Sequence, residues 1–412
     1  MFSLKNFIGY FNKEIVIKGF FTAVFLSGFI YLEHFGVTNP YIYDAFALVG
    51  LYLFLTINRA ELFVAGFFVG VLWFYWIPFS FRFYELTLLI PFAVIGLGLL
   101  YAIMFVAMGA FNTIFVRLVA FLFIKYLQPF DFDWFIPQLM FVNSHFGLEN
   151  FHFDFLLVSI AIVIVFKPLL KPLAIIPFLL SFGVTPQPTN SKDLSIYLAD
   201  PKLPQDKKWD RAYIYEIVDR NFAIIDKAIT NKYDIVALPE VAFPLVLNKE
   251  PQVLDRLKKL SYKIKIVTGG LKKGENNNMY NSTFIFEDAS LKIVDKYVLV
   301  PFGEYIPLPT FMKNLINDII YNGAKDYIPA DKPSNFMLGD DVFRNAICYE
   351  ATNEKIYEDY PKYVIATSNN AWFTPSTQPD LQRLLLKFYA ERYGTTIYHS
   401  ANMGGSGVIR PF

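Results

Sequence analysis

Asn345-Ala346-Ile347-Cys348-Tyr349-Glu350 holds the only cysteine in 412 residues. An apolar run through Val342-Phe343 and Ala346-Ile347 leads into it, and polar residues follow at once. That is the pattern of a buried strand delivering one side chain to the edge of a sheet. A lone cysteine forms no internal disulfide, so it either does chemistry or packs as a small hydrophobe. Taken by itself, packing is the better reading. The surroundings of Cys348 along the chain reverse that preference.

The length fits two or three domains. The hydrophobic fraction is 55 %, with 45 Phe and 26 Tyr, above the norm for globular chains. A formal charge of +1 argues against a nucleic-acid partner, which needs a basic field. The apolar excess is uneven. Up to about Thr185 the chain is almost continuously apolar, and nearly all Lys, Asp and Glu come later. This predicts a helical membrane domain over 1–187 and a soluble domain over 188–412. The first apolar run follows Lys5, Lys13 and Lys18. It is too long for a signal-peptide core and has no small-x-small site after it, so it reads as a retained helix.

Crossing a bilayer takes about 20 apolar residues. Candidate spans are 19–33, 41–57, 62–81, 86–108, 111–127, 153–166 and 169–185, about seven in all, the first and sixth being short. With the N-terminus inside, Lys5, Lys13, Lys18, Arg59, Arg117, Lys167 and Lys171 fall on the cytoplasmic side, and only Arg82 and Lys125 fall outside, as the positive-inside rule requires. Seven crossings then put the soluble half outside, in the periplasm of a bacterial cell. The outer connector 128–152 carries Asp131, Asp133 and Glu149 and the aromatics Phe130, Phe132, Trp134, Phe135, Phe141 and Phe146. Such a belt suits headgroup depth.

Pro186-Gln187-Pro188-Thr189-Asn190-Ser191 reads as a linker. Beyond it, strands are expected over 194–199, 233–238, 263–269, 282–286, 293–299, 343–348, 363–368, 395–399 and 405–409. Helices are expected over 209–232 and 379–393. Alternating strands and helices mean a layered α/β domain.

Three residues stand at or near strand ends: Glu240 in Ala237-Leu238-Pro239-Glu240, Lys296 before Val298-Leu299-Val300-Pro301-Phe302-Gly303-Glu304, and Cys348. The thiolate is the reactive form of cysteine, and a nearby cation lowers a thiol pKa. A carboxylate takes the thiol proton and returns it to a leaving group. A charged lysine stabilises thiolate and oxyanion. The three residue types complete an acyl-transfer set. Each also has a bland reading, as cap, surface charge or core, and spacing alone does not choose.

A resemblance does. The trio resembles the Glu–Lys–Cys set of the nitrilase (carbon–nitrogen hydrolase) superfamily, and the whole chain resembles the apolipoprotein N-acyltransferase family. It is carried by Leu203-Pro204-Gln205-Asp206-Lys207-Lys208-Trp209, Pro239-Glu240, the block from Lys296 through Pro301-Phe302-Gly303-Glu304-Tyr305-Ile306-Pro307, Ile347-Cys348-Tyr349-Glu350, Ser368-Asn369-Asn370-Ala371-Trp372-Phe373, and Ala401-Asn402-Met403-Gly404-Gly405-Ser406-Gly407. Asn370 stands where the family usually has Asp. The family also continues into a further strand and a last transmembrane helix, where this sequence reaches Ile409-Arg410-Pro411-Phe412.

The resemblance implies a multi-span helical membrane domain plus a periplasmic nitrilase-type sandwich in α-β-β-α layers. By it, Cys348 is the nucleophile, Glu240 the general base and Lys296 the oxyanion stabiliser. Glu304 and Glu350 are supporting carboxylates, Tyr349 and Trp372 shape an acyl pocket, Trp209 sits on an arm over the site, and Asn369 belongs to the same surroundings. The reaction implied moves an acyl chain from a membrane phospholipid to Cys348, then to the α-amino group of a diacylglyceryl-cysteine on an apolipoprotein, at the bacterial inner membrane. Lipid substrates imply sideways access near 128–152. No cofactor is implied, and His34, His145, His152 and His399 are too scattered to suggest a metal site. The rivals are a membrane-anchored amidase that passes the acyl group to water, and a non-catalytic scaffold.

Overall fold

The computed structural model describes residues 12–109, 113–124, 131–183, 194–309, 313 and 326–411. The expected linker 186–191, Phe130, and the ends of the spans expected at 111–127 and 169–185 lie outside the described residues. The chain forms two compact units. One comprises Met1–Gln128, Phe135–Thr185 and Pro375–Leu384; the other comprises Pro129–Trp134, Pro186–Thr374 and Leu385–Phe412. Two short segments therefore cross the single boundary suggested by composition.

The helical unit contains α1 (Lys13–His34), α2 (Pro40–Thr56), α3 (Arg59–Phe74), α4 (Ile90–Met108), α5 (Ile114–Ile124), α6 (Asn150–Val165) and α7 (Ile175–Leu180). One helix falls in each of the seven stretches expected to span. Among the described residues, only Lys13–His34 and Thr87–Met108 are long and apolar enough to cross alone, and α3 with the 3-10 helix Ile77–Tyr84 makes a third if their 55° bend is a broken span. A helix of 16 residues, such as α6, rises about 24 Å, short of the ~30 Å hydrocarbon core.

Local chemistry sets these ends. Asn39 caps α2 through the N–H of Tyr41. Asn58 caps α3 while Glu61 Oε2 accepts from the Asn58 N–H at 2.7 Å, a reciprocal capping box. Gly66 and Gly70, one turn apart on α3, let it lie flush on α4: a Cβ on Gly66 would stand 2.5 Å from the Tyr101 carbonyl oxygen. Small residues at that spacing are what close helix packing in a membrane requires.

The second unit is built from two five-stranded sheets. The first has the order β1 (Ile196–Leu198), β2 (Ile235–Leu238), β3 (Lys265–Lys273), β4 (Met279–Glu287), β5 (Ser290–Asp295). The second runs β10 (Gly407–Ile409), β9 (Thr396–Asn402), β8 (Tyr363–Asn369), β7 (Asp341–Ile347), β6 (Asn335–Leu338). Strands β1, β2 and β3 pair in parallel, as do β7, β8 and β9. Alternation along the strands sorts the side chains into two layers. Ile235, Ala237, Val267 and Ile285 of the first sheet share a buried core with Phe336, Phe343, Tyr363, Ile365 and Tyr398 of the second. Their neighbours Val236, Leu238, Ile266, Phe284 and Phe286 face the other way, onto Phe222, Ile225 and Ala228 of helix α9 (Ile214–Thr230) and Leu257 of helix α10 (Pro251–Leu260). A four-residue helix α8 (Gln205–Lys208) precedes α9, and helix α11 (Gln378–Tyr393) lies between β8 and β9 in the chain. The first turns of α11 count with the helical unit, where Asp380 meets His34 at 2.7 Å and Arg383 meets Glu33 at 3.4 Å.

The sandwich is the α/β class expected from the sequence. Helix α10 and strand β6 have no counterpart among the expected elements. Nor does α8, which precedes the expected helix 209–232; that helix is observed as α9, with residues 209–213 forming turns ahead of it.

Candidate active site

Parallel sheets gather functional groups at the carboxyl ends of their strands. Glu240 follows β2, Lys296 follows β5, and Cys348 follows β7. Two backbone features fix the first and last of these. Val241, directly after Glu240, has φ 45°, and Cys348 has φ 55°. Left-handed backbone is rare for residues with a Cβ and strained for a β-branched one, and such strain gathers at functional sites. Gly269 on β3 passes immediately behind the glutamate: a Cβ there would lie 2.6 Å from the Glu240 Cα.

The carboxylates form a connected frame. Asn281 on β4 donates through Nδ2 to Glu240 Oε1 at 2.7 Å and to Glu304 Oε1 at 2.9 Å. Glu304 Oε2 accepts from the Val300 N–H at 2.8 Å and meets Lys296 Nζ at 2.7 Å. Apart from that ion pair, Lys296 Nζ has no hydrogen-bond partner among the described residues. The ammonium is fully buried. Its donor protons are thus available to an oxygen that enters the site. Burial works against its charge, but Glu304, then Glu240, Cys348 and Glu350, outweigh it and raise its pKa.

Glu350 fastens the lysine segment to the turn that begins at Cys348. Its Oε2 accepts from the N–H groups of Tyr297 at 2.8 Å and Val298 at 3.0 Å, and its Oε1 from the Ile347 N–H at 2.7 Å. Burial raises its pKa from 4.5 to about 7, against the pull of Lys296 and those three donors.

Cys348 opens the 3-10 turn Cys348–Thr352 and is partly exposed. Burial first, and Glu240 next, push its thiol well above the ordinary range, while Lys296 and the N–H of Asn369 pull the other way and lose. A thiol lowered by its neighbouring cation is the sequence-based expectation, and the structure reverses it. The one nearby lysine named in advance is outnumbered by carboxylates in a desolvated site. In this environment the balance of burial and charge favours the thiol form of Cys348 over the thiolate.

Asn369, at the end of β8, accepts from Asn402 Nδ2 at 2.9 Å and donates to Gln205 Oε1 at 2.8 Å. Tyr349 turns its hydroxyl toward the connector segment: it contacts Asp133 Oδ1 at 2.5 Å and the Asp131 carbonyl oxygen at 3.1 Å. Its ring stacks on Phe132 at 5.8 Å. Trp134 Nε1 donates to Thr352 Oγ1 at 2.7 Å, and Asn353 Nδ2 to Asp133 Oδ2 at 2.7 Å. Residues 131–134 therefore brace the Cys348–Thr352 turn and Asn353. Trp209 follows α8 and is 45 % exposed. Trp372 is half-buried in the 3-10 turn after β8.

Three further residues belong to this frame and escape a reading of the sequence: Asn281, Lys208 and Asp133. Asn281 and Asp133 lack any local signature. Lys208 had one, since it lies in the motif that ends at Trp209, but nothing in a run of two lysines says which is buried.

A two-sheet α/β unit with a glutamate, a lysine and a cysteine at its strand ends, on one chain with an apolar helical unit, is the architecture of a membrane-anchored α/β protein. Residues 13–184 match the family described as the apolipoprotein N-acyltransferase integral membrane domain. The apolipoprotein N-acyltransferase of Wolinella succinogenes is 40 % identical over 413 residues, 99 % of each chain. That of Helicobacter pylori is 36 % identical over 97 % of this chain and 95 % of its own. That of Campylobacter jejuni is 33 % identical over 98 % and 94 %. The chain belongs to the apolipoprotein N-acyltransferase family and is an N-acyltransferase. Among solved structures, an amidase of the nitrilase superfamily from Nesterenkonia covers 55 % of this chain and 82 % of its own, at 11 % identity and a TM-score of 0.38.

Proposed function

We propose that the enzyme acts on the periplasmic side of the bacterial inner membrane and moves an acyl chain in two steps through Cys348. In the first, the Cys348 sulfur attacks the ester carbonyl of a phospholipid as Glu240 takes the thiol proton. The carbonyl oxygen becomes an oxyanion facing the Lys296 ammonium. The ester C–O bond then breaks, Glu240 returns the proton to the glycerol oxygen, and a lysophospholipid leaves. In the second step the free α-amino group of a diacylglyceryl-cysteine attacks the thioester. Its proton passes through Glu240 to the departing sulfur as the C–S bond breaks, and an amide remains.

The observation that carries this reading is the frame itself. Asn281 joins Glu240 to Glu304, Glu304 holds Lys296, and Glu350 ties the lysine segment to the turn bearing Cys348. A buried ammonium with unspent donors beside a protonated thiol and a carboxylate suits a reaction whose charge appears only on the way to the transition state. The membrane half of the chain supports a lipid donor and a lipid-anchored acceptor.

The test incubates the full chain with acyl-labelled phospholipid and a diacylglyceryl peptide. N-acylated peptide is expected, lost on Cys348→Ala. Labelled free fatty acid without N-acylated peptide would overturn the transfer reading in favour of hydrolysis.

A further inference from the structure

Lys208 is a buried charged residue beside the active site that the mechanism above does not use. It is 2 % exposed. Its Nζ donates to the main-chain oxygen of Glu240 at 3.0 Å. No carboxylate ion-pairs with it among the described residues. Yet Glu240 and Cys348 both act on its charge, and burial pulls it down to about 8 against them. A lysine that only filled space would not be left without a counter-ion in the interior, since burying an unpaired charge is costly.

The segment that carries it is fastened to the nucleophile's surroundings. The Leu203 N–H donates to Asn402 Oδ1 at 2.7 Å, and Asn402 Nδ2 donates to the Leu203 carbonyl at 2.8 Å. Gln205 holds Asn369, whose N–H reaches the Cys348 sulfur. Lys208 thus takes its position from the same strand ends that place the thiol.

Charge bookkeeping shows why a second cation matters. Glu240, Glu304 and Glu350 surround Lys296, so a thiolate formed there adds to a negative excess. One further positive charge at the Glu240 backbone offsets it.

We infer that Lys208 is a positioning residue for the acyl transfer proposed above: it fixes the Glu240 main chain beside Cys348 and supplies the second positive charge that lets the thiol ionise among the carboxylates.

Because Cys348 is the only cysteine, alkylation by iodoacetamide, followed by intact mass, reads its thiolate directly in the full chain. At pH 6.5–7 Lys208→Met should alkylate about tenfold more slowly than wild type, one pH unit of thiolate fraction. That gap should close as pH rises through about 8 and wild-type Lys208 loses its charge. Lys208→Arg should match wild type below pH 8 and exceed it above, since arginine stays charged. A Lys208→Met gap that is absent, or constant with pH, would overturn the inference. If that variant fails to accumulate, Lys208→Arg decides: rates equal to wild type at every pH would overturn it too. Alkylation needs neither lipid substrate. An absence of acyl adduct on wild-type Cys348 would therefore sink the transfer reading and leave the Lys208 result interpretable.

Discussion

Replacing Glu350 by alanine removes the side chain that joins the lysine segment to the turn bearing Cys348. Three N–H groups lose their acceptor: those of Tyr297, Val298 and Ile347. An orphaned buried donor costs about 1–3 kcal/mol, so the full sum is about 3–9 kcal/mol, and water entering the vacated space brings it toward the lower end. For a domain of some 200 residues each kcal/mol moves the melting point by about 2–4 °C, so a fall on the order of 10 °C is expected. Glu350→Gln keeps one acceptor oxygen and should lose about 1–3 kcal/mol. In both variants the turn is free to shift, and a displacement of about 1 Å costs about a hundredfold in rate. The pH dependence adds a second signature. Burial raises Glu350 from 4.5 to about 7, so the folded protein holds a proton that the unfolded chain releases. Its contribution therefore lowers stability as pH rises from about 4.5 to about 7 and is level above. Glu350→Gln should flatten that slope. The assay is thermal melting of the detergent-solubilised full chain from pH 5 to 8, with N-acylation of a diacylglyceryl peptide in parallel. An alanine variant that melts and transfers like wild type would refute the role of the Glu350 bridge.

Three other substitutions follow from the same geometry. Glu240→Gln keeps an oxygen for Asn281 and so should leave melting nearly unchanged, while transfer falls by about 10²–10⁴-fold as the general base is lost; a steady-state rate within tenfold of wild type would remove Glu240 from that role. Gly269→Ala sets a Cβ 2.6 Å from the Glu240 Cα, so thioester formation should drop by tenfold or more, measured by acyl-label incorporation; an unaffected rate would mean that β3 yields there at no cost. Asp133→Ala leaves the Tyr349 hydroxyl and Asn353 Nδ2 without their shared carboxylate, and should slow transfer while α/β folding survives. A wild-type kcat in that variant would show that the brace from residues 131–134 is not needed.

Glu240 and Cys348 stand out in the sequence because each follows a short apolar run that stops abruptly. The Pro301-Phe302-Gly303-Glu304 and Cys348-Tyr349-Glu350 blocks were legible as motifs. What a linear reading misses is whatever depends on summing charges in three dimensions. Lys208 and Lys207 look alike in the chain, yet only Lys208 is turned inward. The direction of the Cys348 shift depends on burial and on two carboxylates, Glu240 and Glu304, as well as on one lysine. Asn281 is one polar residue in a strand until its amide is seen to touch Glu240 and Glu304. Phe132 and Trp134 read in the sequence as interfacial aromatics, and in the structure residues 131–134 count with the α/β unit, bonded to Tyr349 and Thr352. Strand β6 is four residues long, too short for a period to stand out. The apolar stretches marked the helices of the first unit, and among the described residues two of these are long and apolar enough to cross alone.

The central claim is that Cys348 carries the acyl chain between two lipids. Intact-mass spectrometry of the full chain after exposure to a defined phospholipid, without acceptor, tests it most directly. The expected result is a single adduct of acyl mass on Cys348, sensitive to hydroxylamine and discharged on adding a diacylglyceryl peptide. An adduct on another residue, or N-acylated peptide formed at the wild-type rate by Cys348→Ala, would contradict it.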